Sequence, residues 1–494
     1  MMKSVSVKKE KSHQGAFVIG GIVALFFGFL VVKEVELNPM VILPAAMLGF
    51  LFLFFKSMHS PLPALYFAVC YIPFSKILVG DFGGALQALN LTNVIMIFML
   101  IGMMAQSSRT GRPLFTSNAL NFPVFLFALA ALISFIRASS FFGVGGDMVS
   151  LFIQLKRWMT PLLLFYLAYN SLNDRSSIQN TVKIIMIVVT VVGLMAAWDY
   201  FNVSPGTKLE NARVGGIADQ PNQLAGFFVY YMFLFPAFFT LRYKSWRSWG
   251  LLLPFLICFR GIQVTFSRGG YLAFAFGVLA FSFFRSKKLL LLVIGTAIFA
   301  LLNPWMLPQG IRYRIGQTIE QNSACDAPIE ESLEGSSRLR IEIWKTSLEM
   351  IKDEPFLGFG YETFRYVLGY YNPQVGRFDA HNSYIIIAAE MGIPALLIFL
   401  AIILIIIKET LWVYYRTSDY FYKATALGFL GGLFGLLVVN FFGSRLNSQE
   451  ISGYFWILAA IILKIKDLEM KRSLEEKTLS NGLTVNQKRK SKSA

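Results

Sequence analysis

Long apolar runs separated by short polar segments constrain the fold of this chain more than any other feature of its sequence. The hydrocarbon core of a bilayer is about 30 Å thick, so a helix that crosses it needs about 20 mostly apolar residues. Of the 494 residues, 55% are hydrophobic and only 15% are charged, whereas soluble proteins carry about a quarter of charged residues. The sequence therefore predicts an all-α polytopic membrane protein.

Fourteen runs qualify as candidate spans, and because several are short the prediction is about 12–14 transmembrane helices. One large polar segment, residues 303–382, interrupts them, and we expect it to contain helices of its own. The candidate spans are residues 17–32, 39–55, 62–79, 91–105, 122–138, 151–169, 182–200, 223–241, 251–266, 271–284, 289–302, 383–407, 424–442 and 451–463.

The distribution of Lys and Arg predicts the topology. The formal net charge is +17, which in a soluble protein would suggest a nucleic-acid partner, but the cytoplasmic loops of membrane proteins collect basic residues. With the N-terminus inside, most Lys and Arg fall on cytoplasmic segments, and no nucleic acid is needed to explain the charge. We therefore expect a cytoplasmic basic N-terminus at 1–16 and transmembrane helices within 17–302 and 383–463. The basic tail at 464–494 is also expected in the cytoplasm, as a disordered arm near anionic lipid. Residues 303–382 then form a large outer loop.

His381 lies at the start of "HNSYIIIAAEMGIP", where the outer loop meets the next apolar run, and is the only one of the three histidines on the predicted outer side. A neutral imidazole can accept a proton from a hydroxyl group near physiological pH. Alternatively, His381 is an ordinary polar residue at a membrane edge. Asp379 alone does not make a convincing metal site with it, so we predict no metal.

Several cations are predicted on the same side. Arg213 lies in "NARVGGIADQPNQLAG" and Arg268 in "TFSRGGYLAF". The segment "GSSRLRIEIWKTSLEMIKDEP" predicts a helix, capped by Ser336 or Ser337 and ending before Pro355, in which Arg340 and Trp344 share a face. Taken alone, Arg268, Arg338 and Arg340 are each more readily explained as cations at the membrane interface.

Lys156 and Arg157, in "LFIQLKRWMTPLLLF", lie about two turns below the predicted outer surface. Charges at that depth usually face a bundle interior or an aqueous cavity, although one could snorkel outward and the other pair locally. Together with Arg213, Arg268 and Arg340 they suit a ligand that carries phosphate groups, for which arginine offers a bidentate fork.

Three stretches in order resemble the O-antigen ligase and polysaccharide polymerase superfamily of bacterial inner-membrane glycosyltransferases. They are the R-x-x-x-W pattern from Arg340 to Trp344, "DEPFLGFGYETF" at 353–364, and "HNSYIIIAAEMGIPALLIFL" from His381. The upstream "RVGGIADQPNQLAG" and "TFSRGG" resemble two further family motifs, so the resemblance covers roughly residues 150–463. Pro394 stands where the family often has glycine, and fourteen spans exceed the family's usual twelve.

The resemblance implies a transferase that passes a glycan from undecaprenyl pyrophosphate to an acceptor hydroxyl, on lipid A-core or on another lipid-linked repeat unit, at the periplasmic side and without metal or cofactor. His381 would be the base, and Arg213, Arg268 and Arg340 would bind the pyrophosphate, with Arg338 an alternative to Arg340. Family support for Lys156 and Arg157 is looser. Membrane lipids and polysaccharide-export proteins are further expected partners.

Three alternatives stay open. The motifs do not distinguish a ligase from a polymerase, because acceptor recognition lies in variable loops. A protein O-oligosaccharyltransferase of the same superfamily usually has additional C-terminal sequence. A transporter or flippase for polysaccharide lipids also fits a basic protein with many spans, but the long outer loop favours an enzyme.

Overall fold

The structure is a computed structural model that describes residues 39–78, 90–142, 148–204, 207, 212–306, 312, 335–446 and 448–490. All regular elements in these residues are helices, and the predicted all-α polytopic membrane fold is confirmed. The predicted N-terminal segment 1–16 and first span 17–32 lie outside the described residues, as does most of 307–334.

Sixteen helices of eight or more residues form the described part of the chain. They are α1 (Pro39–Ser57), α2 (Leu62–Tyr71), α3 (Leu91–Thr110), α4 (Asn121–Phe142), α5 (Met148–Ser171), α6 (Arg175–Phe201), α7 (Pro221–Tyr231), α8 (Leu234–Leu241), α9 (Leu252–Val264), α10 (Arg268–Arg285), α11 (Lys287–Leu302), α12 (Gly335–Asp353), α13 (Phe364–Tyr371), α14 (Ser383–Arg416), α15 (Tyr420–Phe441) and α16 (Gln449–Lys490).

Six stretches of the described chain are long and apolar enough to cross a membrane by length and composition: α3, α4, α6, α7 with α8, α14 and α15. Several other predicted spans are shorter or interrupted helices; α2, for example, ends at Tyr71 and continues as a short 3₁₀ turn.

The C-terminal tail differs from its prediction, because α16 continues as a helix to Lys490 where the sequence predicts a disordered arm. Two contacts tie its first turns beyond residue 463 to the bundle. Lys466 pairs with the buried Glu409 at 2.5 Å, and the Lys464 ammonium lies 4.0 Å from the centre of the Tyr169 ring. These contacts favour continuation of the helix past the apolar run.

Glycines on α15 bring the helices around the site into close contact. A Cβ at Gly432 would lie 2.0 Å from the carbonyl oxygen of Tyr230, and one at Gly435 would lie 2.4 Å from the Val229 side chain. Small residues let membrane helices approach to backbone contact. As a result α7, α10 and α15 pack against one another, which sets the positions of the segments at their ends.

Helix α14 is broken at Gly392, whose φ of 87° and ψ of 165° are not helical. A Cβ at this position would lie 2.1 Å from the carbonyl oxygen of Phe356, so only glycine fits. The freed N–H of Ile393 donates to the Pro355 carbonyl at 2.7 Å. Pro394 follows at the start of the second helical half, where its missing N–H is not needed. Proline in place of the family glycine at residue 394 is therefore compatible with the helix, because the helix breaks at Gly392, two residues earlier.

The segment 353–364 pairs with the broken helix through its backbone. The Phe359 N–H donates to the Ala389 carbonyl at 2.8 Å, and the Gly360 N–H donates to the Glu390 carbonyl at 3.0 Å. The Glu390 carboxylate in turn accepts from the N–H of Phe364, at the start of α13. The "DEPFLGFG" and "EMG" motifs therefore serve to attach α12 and α13 to α14.

Helix α12 confirms the predicted helix and its end before Pro355, but its start differs. It includes Gly335, so Ser336 and Ser337 lie in its first turn and neither is the N-cap. Side chains of α12, α13 and α14, among them Ile343, Met350 and Leu368, form a small apolar cluster of their own.

Candidate functional site

A cavity of about 240 Å³, which we call the basic cavity, is lined by four arginines from four separate segments. Arg213 precedes α7, Arg268 is the first residue of α10, Arg340 lies in the second turn of α12, and Arg445 follows α15. The structure therefore brings together three of the arginines that the sequence singles out and adds a fourth.

The N-terminus of α10 opens into the basic cavity. Ser267 caps this helix by accepting a 3.2 Å hydrogen bond from the N–H of Gly270, and residues 267–270 all line the cavity. The positive end of the helix dipole and the N–H groups of a first turn favour an anion. A Cβ at Gly270 would lie 2.7 Å from the Ala225 Cβ, so glycine allows α7 to approach this turn.

Arg213 is held in place by neutral acceptors. Its Nε donates to the Thr265 carbonyl at 3.0 Å, and its Nη2 donates to Asn222 Oδ1 at 2.8 Å. These two bonds orient the guanidinium. Asn222 also lines the basic cavity.

Arg445 is the member of the site that the sequence reasoning missed. Its side chain is buried, and a Cβ at Gly443 would lie 2.5 Å from the guanidinium. The Arg445 N–H donates to Asn440 Oδ1 at 3.2 Å. The short segment "GSRLNSQE" between the last two predicted spans lies on the same predicted side as His381, and this is the signal that could have found it.

His381 directly precedes the cap of α14. Asn382 is that cap, since its Oδ1 accepts from the N–H groups of Tyr384 and Ile385 at 2.9 and 3.2 Å. His381 has a φ of 49°, in the left-handed region that non-glycine residues rarely adopt. Its backbone N–H donates to Asp379 Oδ1 at 2.6 Å, which stabilises this conformation.

Asp379 connects His381 to its surroundings. Its Oδ1 lies 3.6 Å from His381 Nδ1 and accepts a 3.2 Å hydrogen bond from the hydroxyl of Ser444. Its Oδ2 lies 3.4 Å from Nη2 of Arg365. The carboxylate is therefore fixed from two sides and faces the Nδ1 edge of the imidazole, which leaves Nε2 as the atom to accept a proton.

The pKa of His381 is lowered from its ordinary value. Burial is the largest cause, and the positive charges of Arg340, Arg445 and Arg365 act in the same direction, while Asp379 opposes them. The imidazole is therefore neutral at physiological pH. His381 does not line the basic cavity itself, but Ser444, which bonds Asp379, directly precedes Arg445 in its lining, so the histidine lies close to the cavity.

Trp344 links α12 to the residue before the histidine. Its Nε1 donates to the Ala380 carbonyl at 2.8 Å, and its ring contacts Phe441 with 5.2 Å between ring centres. Arg340, one turn earlier on the same face, lines the basic cavity. The R-x-x-x-W spacing thus provides one side chain to the cavity and one to the backbone beside His381.

A second cavity, of about 70 Å³, is lined in part by Ser444, the residue directly before Arg445. We call it the aromatic cavity; its lining includes Trp158, Tyr361, Trp456, Glu362, Ser383 and Ser444. With its amide nitrogen turned toward the carboxylate, Gln154 donates to both oxygens of Glu362, at 2.9 and 3.2 Å. Burial raises the pKa of Glu362, Arg365 opposes this shift and Asp379 adds to it.

The other predicted site residues lie elsewhere. Lys156 and Arg157, on α5, are not among the residues that line either cavity, and Arg157 and Arg338 are exposed. Within the described residues, no group of three or more His, Cys, Asp or Glu side chains is arranged to hold a metal ion.

Fold and site together describe a polytopic all-α membrane protein with a basic cavity beside a neutral histidine. The O-antigen ligase family model matches residues 253–400, which include Arg268, Arg340 and His381. The match covers less than half of the chain and agrees with the resemblance to the O-antigen ligase and polysaccharide polymerase superfamily that the motifs indicate. A comparison with curated proteins found no match.

Proposed function

We propose that the protein is an integral-membrane glycosyltransferase that transfers a glycan from undecaprenyl pyrophosphate to the hydroxyl of lipid A-core or of another lipid-linked repeat unit. It would act at the periplasmic side of the bacterial inner membrane, with both termini in the cytoplasm. The single observation that carries the proposal is the convergence of Arg213, Arg268, Arg340 and Arg445 on one cavity beside a neutral His381.

In this proposal the basic cavity holds the donor pyrophosphate. A guanidinium binds phosphate oxygens through two parallel N–H groups, and the first turn of α10 adds backbone donors. As the glycosidic C–O bond to the pyrophosphate breaks, negative charge grows on the leaving oxygen. Fixed cations stabilise that charge more strongly than they stabilise the bound donor, and so lower the barrier.

His381 would act as the general base. Its Nε2 accepts the proton of the acceptor hydroxyl while the hydroxyl oxygen attacks the anomeric carbon of the donor sugar. A new C–O bond forms, the bond to the pyrophosphate breaks, and undecaprenyl pyrophosphate leaves with the electron pair. Asp379, beside Nδ1 at 3.6 Å, stabilises the imidazolium that results. Before the reaction, the lowered pKa of His381 keeps its imidazole in the neutral form that can accept the proton.

The test is a transfer assay with purified protein, an undecaprenyl-pyrophosphate-linked repeat unit as donor, and lipid A-core or a second lipid-linked unit as acceptor. We expect a new glycosidic bond with the wild type and none with His381→Ala. His59→Ala is the matched control, because His59 is exposed and its Nδ1 lies 3.1 Å from the carbonyl oxygen of Phe55, four residues earlier in the chain. Turnover near wild type in His381→Ala would remove this histidine from catalysis.

Two further measurements separate the alternatives. In vesicles, movement of the lipid-linked glycan without any new glycosidic bond would favour a transporter. In a deletion strain, full-length glycan chains that stay unattached to lipid A-core would indicate a ligase, and single repeat units would indicate a polymerase.

A further inference from the structure

The two cavities meet at the segment around His381. Ser444 lines the aromatic cavity, while its neighbour Arg445 lines the basic cavity. Asn440 joins the two sides, since its Oδ1 accepts from the Ser383 hydroxyl at 2.9 Å and from the Arg445 N–H at 3.2 Å. His381 lines neither cavity, but Asp379 beside its Nδ1 accepts a 3.2 Å hydrogen bond from the Ser444 hydroxyl, which places the base next to the residues where the two linings meet.

The lining of the aromatic cavity is suited to a sugar ring. Trp158, Tyr361 and Trp456 provide aromatic surfaces among further apolar side chains, and the polar atoms come from Glu362, Glu390, Ser383 and Ser444. Aromatic faces pack against the C–H groups of a pyranose, while carboxylate and hydroxyl oxygens accept hydrogen bonds from its hydroxyls. A volume of about 70 Å³ accommodates about five waters, which is the size class of a single sugar ring.

The charge of this lining is opposite to that of the basic cavity. None of the described residues that line the aromatic cavity is cationic, and two carboxyl side chains, Glu362 and Glu390, belong to its lining. A phosphate or a uronic acid would be repelled by the ionised Glu362, and Arg365, the cation that acts on Glu362, does not line the cavity. The pyrophosphate of the donor is therefore directed to the arginines, and the aromatic cavity is left for an uncharged ring.

We infer that the aromatic cavity is the acceptor subsite, which binds one uncharged, hydroxyl-bearing sugar ring and rejects acidic or phosphorylated rings through Glu362. This inference rests on the proposed function. The acceptor hydroxyl extends from the aromatic cavity to His381, and the anomeric carbon of the donor approaches from the basic cavity. Glu362 thus sets the specificity for the acceptor and does not take part in proton transfer.

Binding is tested with methyl glycosides of glucose, N-acetylglucosamine and glucuronic acid, by saturation-transfer NMR on the full-length protein in detergent. We expect signals from the ring protons of at least one neutral glycoside and none from the glucuronide. Glu362→Gln keeps the shape of the side chain and removes its charge, so it should admit the glucuronide. Glu349→Gln, an exposed position on α12, is the matched control and should not.

Trp158→Leu retains an apolar side chain and removes an aromatic face, so it should weaken neutral glycoside signals several-fold. The subsite inference is overturned if no neutral glycoside gives a signal, if the glucuronide binds the wild type equally well, or if neither Glu362→Gln nor Trp158→Leu changes the signals.

Transfer kinetics separate this inference from the proposed function. Glu362→Gln should raise KM for the acceptor several-fold and leave KM for the lipid-linked donor unchanged. If the wild type binds neutral glycosides at this cavity but forms no glycosidic bond, the subsite stands and the proposed function fails. If transfer occurs and Glu362→Gln alters only KM for the donor, the subsite inference fails and the proposed function stands.

Discussion

The indole Nε1 of Trp344 donates a 2.8 Å hydrogen bond to the carbonyl of Ala380, the residue directly before His381. The bond joins α12 to the backbone that carries the histidine. Because Arg340 lies one turn earlier on the same helix and lines the basic cavity, a single rigid element sets both the cation and the base. The position of Arg340 relative to His381 therefore depends on the placement of α12.

Trp344→Phe keeps most of the apolar packing and removes this hydrogen bond. A hydrogen bond contributes about 1 kcal/mol, so we expect kcat to fall about fivefold, with KM for the donor nearly unchanged because Arg340 is still present. Steady-state transfer kinetics measure both constants. Trp246→Phe is the control, since Trp246 is 78% exposed. An unchanged kcat in Trp344→Phe would show that this bond does not position His381.

The apolar runs were enough to predict the all-α membrane fold, because helices are the ordinary means by which a single chain satisfies its backbone groups in lipid. The helical period likewise predicted α12 and its end before Pro355. The break at Gly392 was not predicted, because it depends on the backbone of residues 355–360 lying against α14, a contact between segments some 35 residues apart in sequence. Local pattern carries no signal for such a contact.

In the candidate site, too, some residues could be predicted from the sequence and others depend on how the helices pack. Arg213, Arg268 and Arg340 share a cavity, and the motifs and topology had singled them out. Arg445 lies in a short segment with no motif; the predicted topology places this segment on the side of His381, but the packing of α7, α10 and α15 is what brings Arg445 to the cavity. Lys156 and Arg157 were singled out by depth along α5, but the sequence does not give the rotation of a helix about its axis, and Arg157 is exposed.

The pH dependence of transfer should report the charges around His381. The base is active when neutral, so kcat/KM should fall as the pH decreases through its lowered pKa, below the ordinary value of about 6.5. Asp379→Asn removes the charge that raises this pKa and should shift the acid limb to lower pH. Arg340→Gln removes a charge that lowers it and should shift the acid limb to higher pH. An acid limb that moves in neither variant would mean that another group titrates.

Arg340 and Arg338 are two residues apart on α12, and the structure distinguishes between them. Arg340 lines the basic cavity and Arg338 is exposed outside its lining. Arg340→Ala should therefore raise KM for the lipid-linked donor about tenfold or more, since a charged hydrogen bond contributes about 1.5–3 kcal/mol, and Arg338→Ala should change it little. Competition by undecaprenyl pyrophosphate against labelled donor gives an independent measure. A larger rise of KM in Arg338→Ala than in Arg340→Ala would show that Arg338 is the arginine that binds the donor.

Arg445→Lys tests the arginine that the sequence did not reveal. Lysine keeps the positive charge and loses the planar fork, so bidentate binding of phosphate should be lost and KM for the donor should rise several-fold. Arg268→Lys should behave similarly. Arg242→Lys is the matched control, because Arg242 lies at the end of α8 beside Tyr420 and outside the basic cavity. Full activity in both Arg445→Lys and Arg268→Lys would contradict bidentate recognition.

Gly392→Ala should destabilise the attachment of α12 and α13 to α14. The φ of 87° disfavours any side chain, and a Cβ would lie 2.1 Å from the Phe356 carbonyl oxygen. Overpacking at such a contact costs about 1–3 kcal/mol, so the purified variant should unfold at lower temperature and lose transfer activity. Gly295→Ala is the matched control on α11, where a Cβ would meet nothing within 4 Å; it should be neutral or slightly stabilising. Equal thermal stability of the two variants would show that the broken helix tolerates a side chain at residue 392.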